Sequence, residues 1–412
     1  MPFKPEEWKQ KGTPIIRIQN LTEESCKFNY YDRPVSPIYE VNNGDILVSW
    51  SATLGVFKWN RGKAILNQHI FKAIPSAGID HGFFYYAISK QIEQMKSMIH
   101  GTTMKHITRQ PFLDTSIPLP PVDQQQKIAS ILSIVDELIL KTIEIIEQTQ
   151  RLKKGLMQKL FTKGIGHTRF KESAIGQIPE SWNIVNIQEI SHRIMKGIFD
   201  LNPKLYVPTG IPFLRISDII DNSIDLSTTK YITDKTNSDF PSSELRSGDI
   251  LLAKVGASAG SIEKIAKIPK SIDKCNISQN LIGIRLDQNR VIPDFLFSFL
   301  QLQNVMDTII SNSNTTTFKS IQLDVLRRFQ IPLPIKEEQQ KIVTILNSIS
   351  TTIQQEVSFR NYLRKLKVGL MQKLLTGKIR VKVRILTSMH QLEAGQYLYI
   401  TMKMPRNNCK II

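Results

Sequence analysis

The sequence predicts an α+β protein: two mixed α/β domains in tandem, each followed by a long helix, the two helices pairing as an antiparallel coiled coil. Three observations predict it. Residues 117–162 are largely written a second time, 214 residues later. Each copy carries an apolar stripe at helical spacing, and the segments before the copies share short β-rich anchors but little else. A repeat of this size is sought first, because it assigns the architecture.

The first copy opens Ile117-Pro118-Leu119-Pro120-Pro121-Val122-Asp123-Gln124-Gln125-Gln126-Lys127-Ile128 and closes Gly155-Leu156-Met157-Gln158-Lys159-Leu160. The second gives Ile331-Pro332-Leu333-Pro334, then Glu338-Gln339-Gln340-Lys341-Ile342, then Gly369-Leu370-Met371-Gln372-Lys373-Leu374. The offset never changes, so the two elements share one length. Asp123 and Glu337 stand where an acidic residue favours a helix start. Apolar residues follow at Ile128, Ile131, Leu132, Val135, Leu138, Ile139, Ile143 and Ile146, and again at Leu152, Leu156 and Leu160. These are mostly three- and four-residue steps, which mark one helical stripe. The second copy repeats the stripe from Ile342 to Leu374. At about 1.5 Å per residue each helix is on the order of 55 Å long, too long for a compact core. Two such helices most simply pair with each other; two separate surface helices are the alternative.

Taken in order, residues 1–121 are the first domain, with β-rich runs at Ile15-Ile16-Arg17-Ile18 and, after the turn signal Asn42-Asn43-Gly44, at Asp45 to Trp50. A helix is expected from Phe83 to Met98, broken by Gly101. The first long helix covers 122–162, a polar, Gly-bearing linker 163–176, the second domain 177–335 and the second long helix 336–380. Four anchors recur: Gly12 to Ile18 in Gly210 to Ile216, Gly44-Asp45-Ile46-Leu47 in Gly248-Asp249-Ile250-Leu251, Asn67 to Ile70 in Ser278 to Leu281, and Thr102 to Lys105 in Thr316 to Lys319. The residues between them differ, so one scaffold carries two surfaces.

Two stretches have no counterpart. Gln177 to Ile187 reads as an opening strand that the first domain lacks; either translation starts upstream or that domain is missing an edge element. Residues 381–412 follow the second helix with nothing comparable after the first. That tail reads as an appendage, with a shifted reading frame as one origin for it, whose deletion should leave folding and binding intact.

Lys plus Arg number 54 against 36 acidic residues, a net charge of +18. Such an excess, spread through both halves, points to a polyanionic partner, usually nucleic acid; a basic surface kept for solubility is the alternative. Cys26, Cys275 and Cys409 are scattered, which fits a reducing cytoplasm and neither a disulfide framework nor a zinc site. No signal peptide and no apolar run long enough to span a membrane is visible. There is no phosphate-binding Gly-rich loop, no His-Glu-x-x-His, no methyltransferase Asn/Asp-Pro-Pro-Tyr/Phe and no nuclease-like carboxylate set. The seven histidines are dispersed. These absences match a binding protein.

The paired Gly-Asp-Ile-Leu, Thr-Thr-x-Lys, Ile-Pro-Leu-Pro and Gln-x-Lys-Ile…Leu-Met-Gln-Lys-Leu motifs resemble the DNA specificity (S) subunit of type I restriction–modification enzymes. The resemblance covers residues 1–383. It implies that each domain is a target-recognition domain reading one half of a split DNA site, with the helix pair as spacer. It implies a non-catalytic, cytoplasmic chain that binds no cofactor itself. Its partners would be double-stranded DNA, two methyltransferase (M) subunits carrying S-adenosylmethionine, and restriction (R) subunits using ATP and Mg2+. Because the two domains differ, the expected site is asymmetric and bipartite. A stand-alone enzyme, an inactive remnant and a coiled-coil adaptor are the competing readings.

Lys105 and Lys319, with Thr102, Thr103, Thr316 and Thr317, are candidate phosphate grips, or else a capped loop. Arg17 and Arg215 recur at one place, which suits a backbone contact or a structural salt bridge. Gln68, His69, Gln279 and Asn280 occupy matched positions after a strand; such amides read adenine edges, although their recurrence also suits a scaffold role. Base readers are expected in the unmatched segments, around Trp50, Lys58 and Arg61, and around Lys254, Ser258 and Ser261.

Overall fold

The computed structural model describes residues 3, 5–23, 25–51, 53–98, 116–255, 258–313 and 319–381. The chain divides into two compact units, Met1–Ile143 with Ser358–Ile412, and Glu144–Val357. Both boundaries fall inside the long helices, Val122–Lys163 and Lys336–Leu374. Each unit is therefore a mixed domain plus half of each helix.

The first unit has strands β1 (Thr13–Ile16), β2 (Asn29–Tyr31), β3 (Glu40–Val41), β4 (Ile46–Ser49), β5 (Gly55–Lys58), β6 (Ala64–Leu66) and β7 (Ile70–Ala73). They form one sheet in the order β2-β1-β6-β3 and another in the order β5-β4-β7. Strand β4 is buried on both faces, as its unbroken apolar run requires. Leu47 packs with Ile16, Val41, Trp59 and Leu66, while Ile46 and Val48 pack under the helix His81–Met98 through Phe83, Phe84 and Ala87. The β run expected through Ile18 stops at Ile16 and gives way to a short helix, Ile18–Thr22. There the Asn20 side chain accepts from the Arg17 N–H at 3.0 Å and caps the turn.

The second unit has β8 (Phe170–Lys171), β9 (Ile178–Pro179), β10 (Asn183–Asn186), β11 (Ser191–Lys196), β12 (Tyr206–Val207), β13 (Ile211–Leu214), β14 (Ile219–Ile220), β15 (Ser223–Ile224), β16 (Lys230–Ile232), β17 (Glu244–Arg246), β18 (Ile250–Ala253), β19 (Ile265–Lys267), β20 (Lys274–Ile277), β21 (Leu281–Leu286) and β22 (Gln330–Leu333). Its sheets run β12-β16-β13-β20-β17 and β11-β21-β18-β19. Register repeats along with order. Ile16 lies opposite Leu66 in a parallel pair, and Leu214 opposite Ile277. Ile46 faces Lys58 and Ala73; Ile250 faces Lys267 and Ile284.

The anchor motifs have local causes. At Gly12 (φ 133) and Gly210 (φ 151) a Cβ would lie 2.3 Å from the Tyr31 carbonyl oxygen and 2.4 Å from that of Ile232, so only glycine fits where β1 and β13 begin. Asp45 accepts from the Asn42 N–H at 2.8 Å and pairs with Lys72. Asp249 accepts from the Arg246 N–H at 2.8 Å and pairs with Arg285. Both carboxylates fix the turn that launches the central strand.

Residues 163–176 form more than a linker: β8 pairs with β9 in a hairpin. The expected opening strand is two strands, β9 and β10, interrupted at Trp182, which is buried. Its indole donates to Glu338, as does the Ile165 N–H, and His167 Nε2 lies 2.8 Å from the same carboxylate. Strand β10 pairs with β22, and β11 with β21; no counterpart of either occurs among the described residues of the first unit. Of the predicted appendage, 381–412, residues 382–412 lie outside the described residues.

Inside each unit the start of one long helix meets the end of the other. In the first, Ile128 and Leu132 share a cluster with Leu374 and Leu375, and Lys367 pairs with Asp136. In the second, Met157, Leu160 and Phe161 share a cluster with Ile342, Val343 and Leu346. The predicted stripe needs correcting at Leu138 and Leu152, which are 40% and 57% exposed. The covered positions instead step by four and three through Ile128, Leu132, Val135, Ile139, Thr142 and Ile146, a 3.5-residue period.

The repeated glutamine explains how each domain is held to its helix. Gln125 is 1% exposed: its carbonyl oxygen accepts from the Asp80 N–H at 2.7 Å, and its amide donates to the carbonyls of Pro120 and Gly78. Gln339 is fully buried and accepts from the Ile292 N–H at 2.8 Å, donating to the carbonyls of Pro334 and Arg290. Gln125→Leu and Gln339→Leu each strand three backbone groups, so each is expected to cost about 2–3 kcal/mol. Urea denaturation should show this, while the exposed neighbours Gln126→Leu and Gln340→Leu should stay within about 0.5 kcal/mol of the parent.

Candidate nucleic-acid interface

The pairing geometry brings several strand ends together at one edge of each domain. In the second, β18 ends where β21 begins, since Ala253 faces Leu281, and β11 ends there too, since Lys196 faces Ile282. The Lys254 N–H donates to the Asn280 carbonyl at 2.8 Å, and the Lys254 carbonyl accepts from the Ile321 N–H at 2.8 Å. A bridge joins Val255 to Ser320. Lys254, Ser258, Gln279, Asn280 and Lys319 thus converge, with Ser261 following Ser258 in the same turn, whose Ser261 N–H donates to the Ser258 carbonyl. Lys196, which the sequence reading missed, joins them.

Among the described residues Lys196, Lys254 and Lys319 make no ion pair, and the amides of Gln279 and Asn280 make no side-chain hydrogen bond. Cations and amides left unsatisfied by protein are suited to phosphates and base edges.

The corresponding edge of the first domain is built from the same backbone. The Trp50 N–H donates to the His69 carbonyl, as Lys254 does to Asn280. Its side chains are tied together: the Trp50 and His69 rings lie 5.5 Å apart, His69 Nδ1 is 3.3 Å from Ser51 Oγ, and His69 Nε2 is 3.1 Å from Gln68 Nε2. Gln68 therefore belongs to a local aromatic and polar cluster, whereas its counterpart Gln279 has no such partner among the described residues.

Lys58 and Arg61 sit elsewhere. Lys58 faces Ile46, at the opposite end of β4 from Trp50. Its ammonium lies 4.7 Å from the Tyr85 ring centre, and the Arg61 guanidinium stacks on Phe28 and Trp59 at 5.0 and 4.9 Å. Burial, reinforced by the hydrogen bond to Asp136, pushes the Tyr86 phenol up, so it stays protonated and donates to that carboxylate at 2.8 Å. Through Asp136 and Lys367, this aromatic patch ties the domain to both long helices within the first unit. Arg17 donates to Asn29 and covers Trp8. Arg215 grips the fully buried Asp218 and the Thr228 carbonyl. Both arginines stand just past the ends of β1 and β13 and brace the turns there. Thr102, Thr103, Lys105, Thr316 and Thr317 lie outside the described residues.

Lys196 lies outside the four repeated anchors, so the duplication does not mark it. Nothing in the sequence separated Lys58 from Lys254; only strand register does.

Comparisons with known proteins agree with this organisation. A family model described as "Type I restriction modification DNA specificity domain" matches residues 1–151 and 179–358. The type I restriction enzyme MjaVIII specificity subunit of Methanocaldococcus jannaschii is 32% identical over 345 residues, 83% of this chain and 80% of that protein. The Escherichia coli EcoBI specificity subunit is 26% identical over 362 residues, 83% of this chain and 74% of its own. Among solved structures, the type I S subunit from M. genitalium superposes with a TM-score of 0.53 at 16% identity, covering 90% of this chain and 91% of that one. A chain from a type I system studied for complex assembly and conformational transition gives 0.55 at 19% identity, covering 85% and 87%. At these identities the structural likeness is one of fold.

Removing a phosphate-gripping charge lowers the salt slope of binding by about one. Lys254→Ala and Lys319→Ala should each do so in duplex-DNA titrations at several salt concentrations. Lys58→Ala and Arg61→Ala should leave that slope unchanged while lowering stability by about 0.5–1 kcal/mol through lost cation–π contacts.

Proposed function

Because the chain belongs to the type I restriction–modification DNA specificity family, we propose that its two domains read the two unlike halves of an asymmetric, bipartite DNA site. The observation that carries this reading is the one scaffold presented twice, with different side chains on matching strand ends. Trp50, Ser51 and His69 stand where Lys254, Val255 and Asn280 stand in the second domain. Identical surfaces would read a repeated or palindromic half-site; unlike surfaces read two sequences. Lysines supply affinity through phosphates, and the amides and aromatic groups supply the choice of sequence.

The long helices, 42 and 39 residues, are proposed to form an antiparallel coiled coil that sets the spacing of the half-sites. The covered 3.5-residue register and the start-to-end meeting of the helices within each unit support this. Their outward apolar residues, including Ile134, Leu140, Phe359 and Tyr362, are proposed to seat two methyltransferase subunits, through which restriction subunits join. The chain itself is proposed to be non-catalytic and cytoplasmic and to hold no cofactor; S-adenosylmethionine, ATP and Mg2+ belong to those partners. Among the described residues no helix is long and apolar enough to cross a membrane.

Co-expression with a cognate methyltransferase subunit, followed by genome-wide mapping of methylated adenines, is expected to return one asymmetric split motif. A palindrome of a single half would show that only one domain reads DNA, and an unmethylated genome would identify an inactive remnant. Adding seven residues to each helix, after Ile143 and after Val357, lengthens the spacer by about 10 Å. The gap in the motif should then widen by about three base pairs, at about 3.4 Å each.

A further inference from the structure

The second domain presents one side chain that neither its core nor its ion pairs explain. Phe199 is 83% exposed, the most exposed large apolar side chain among the described residues. Single exposed hydrophobes are common, so the manner of its display is what matters. Both flanking anchors are buried: Ile198 at 7% and Leu201 at 8% share a cluster with Phe213 and Ile232. The Ile198 N–H donates to the Ile277 carbonyl at 2.8 Å, and Ile198 bridges Ser278. The strand contact is so close that a Cβ on Gly197 would lie 1.9 Å from the Ser278 oxygen. Asp200 adopts φ 47, a left-handed conformation that strains a non-glycine residue. A rigid turn thus holds a phenyl ring in water.

That turn stands beside the polar edge described above. Gly197 and Ile198 are hydrogen-bonded to the strand ends on either side of Gln279 and Asn280, and Asn280 is bonded to Lys254. Lys196 immediately precedes it, and the Asp200 carboxylate, which phosphate would repel, follows. The turn therefore suits bases rather than the sugar–phosphate backbone. We propose that Phe199 stacks on a base within the half-site read by the second domain, as a wedge at a base step or a platform for an unstacked base. This rests on the DNA-reading function proposed above.

The test uses the complex with its methyltransferase subunits and a duplex carrying the mapped site, with 2-aminopurine placed along the second half-site. Stacking on an aromatic ring is worth about 1–3 kcal/mol, between about fivefold and about 150-fold in affinity. Phe199→Ala is expected to lose that factor on the specific duplex and the 2-aminopurine signal, keeping its non-specific affinity and salt slope. Phe199→Trp should retain both the affinity and the signal. A Phe199→Ala complex that binds and reports like the parent would overturn the proposal. One that fails to assemble would also overturn it, identifying the ring as a protein contact. A parental complex that prefers no DNA sequence would instead overturn the functional reading on which the inference rests.

Discussion

A buried primary amide sets the terms for each half of this protein. Gln125 and Gln339 sit in the first turn of their long helices, where N–H groups lack helical partners and side chains are well placed to reach out. Each amide closes three hydrogen bonds to backbone, one of them received from the residue that begins the domain's own helix. Burial makes those bonds obligatory, because an amide without partners inside a core is costly. Helix, approach segment and domain are consequently registered to one another within each unit. Everything displayed at the strand ends inherits that register.

On this frame the two domains differ where difference is useful. The launching turns, the parallel pairing and the glycine at the start of β1 and β13 recur because sterics and hydrogen bonding permit few substitutes. The strand ends carry no such constraint. In one domain they hold a knot of Trp50, Ser51, Gln68 and His69; in the other they hold lysines and amides with no protein partner among the described residues. A rigid scaffold with permissive ends lets recognition vary without refolding.

The positive charge is divided by the same logic. Arg17, Arg215 and Arg285 brace turns and strands, and Lys58 and Arg61 lie on aromatic rings. Arginine's planar, multiply donating group suits such bracing. Lys196, Lys254 and Lys319 share one edge of the second domain and make no ion pair among the described residues. A net charge of +18 identifies the class of partner and says little about which residues meet it.

The sequence by itself determined the duplication, the two long helices, the α+β class and the family resemblance. Each is a matter of period or offset, and periods survive translation from chain to structure. It also located the anchors, since Gly12, Asp45 and Gln125 recur in Gly210, Asp249 and Gln339 for local backbone reasons. Tertiary structure decided what depends on which strand lies beside which. It placed Leu138 and Leu152 outward by setting the helical register at 3.5 residues rather than by hydrophobicity alone. It separated Lys58 from Gln68, both near β-rich anchors in the chain, by running β5 antiparallel to β4. It set Phe199 in solvent between the buried Ile198 and Leu201, because exposure is a property of packing and no residue carries it alone.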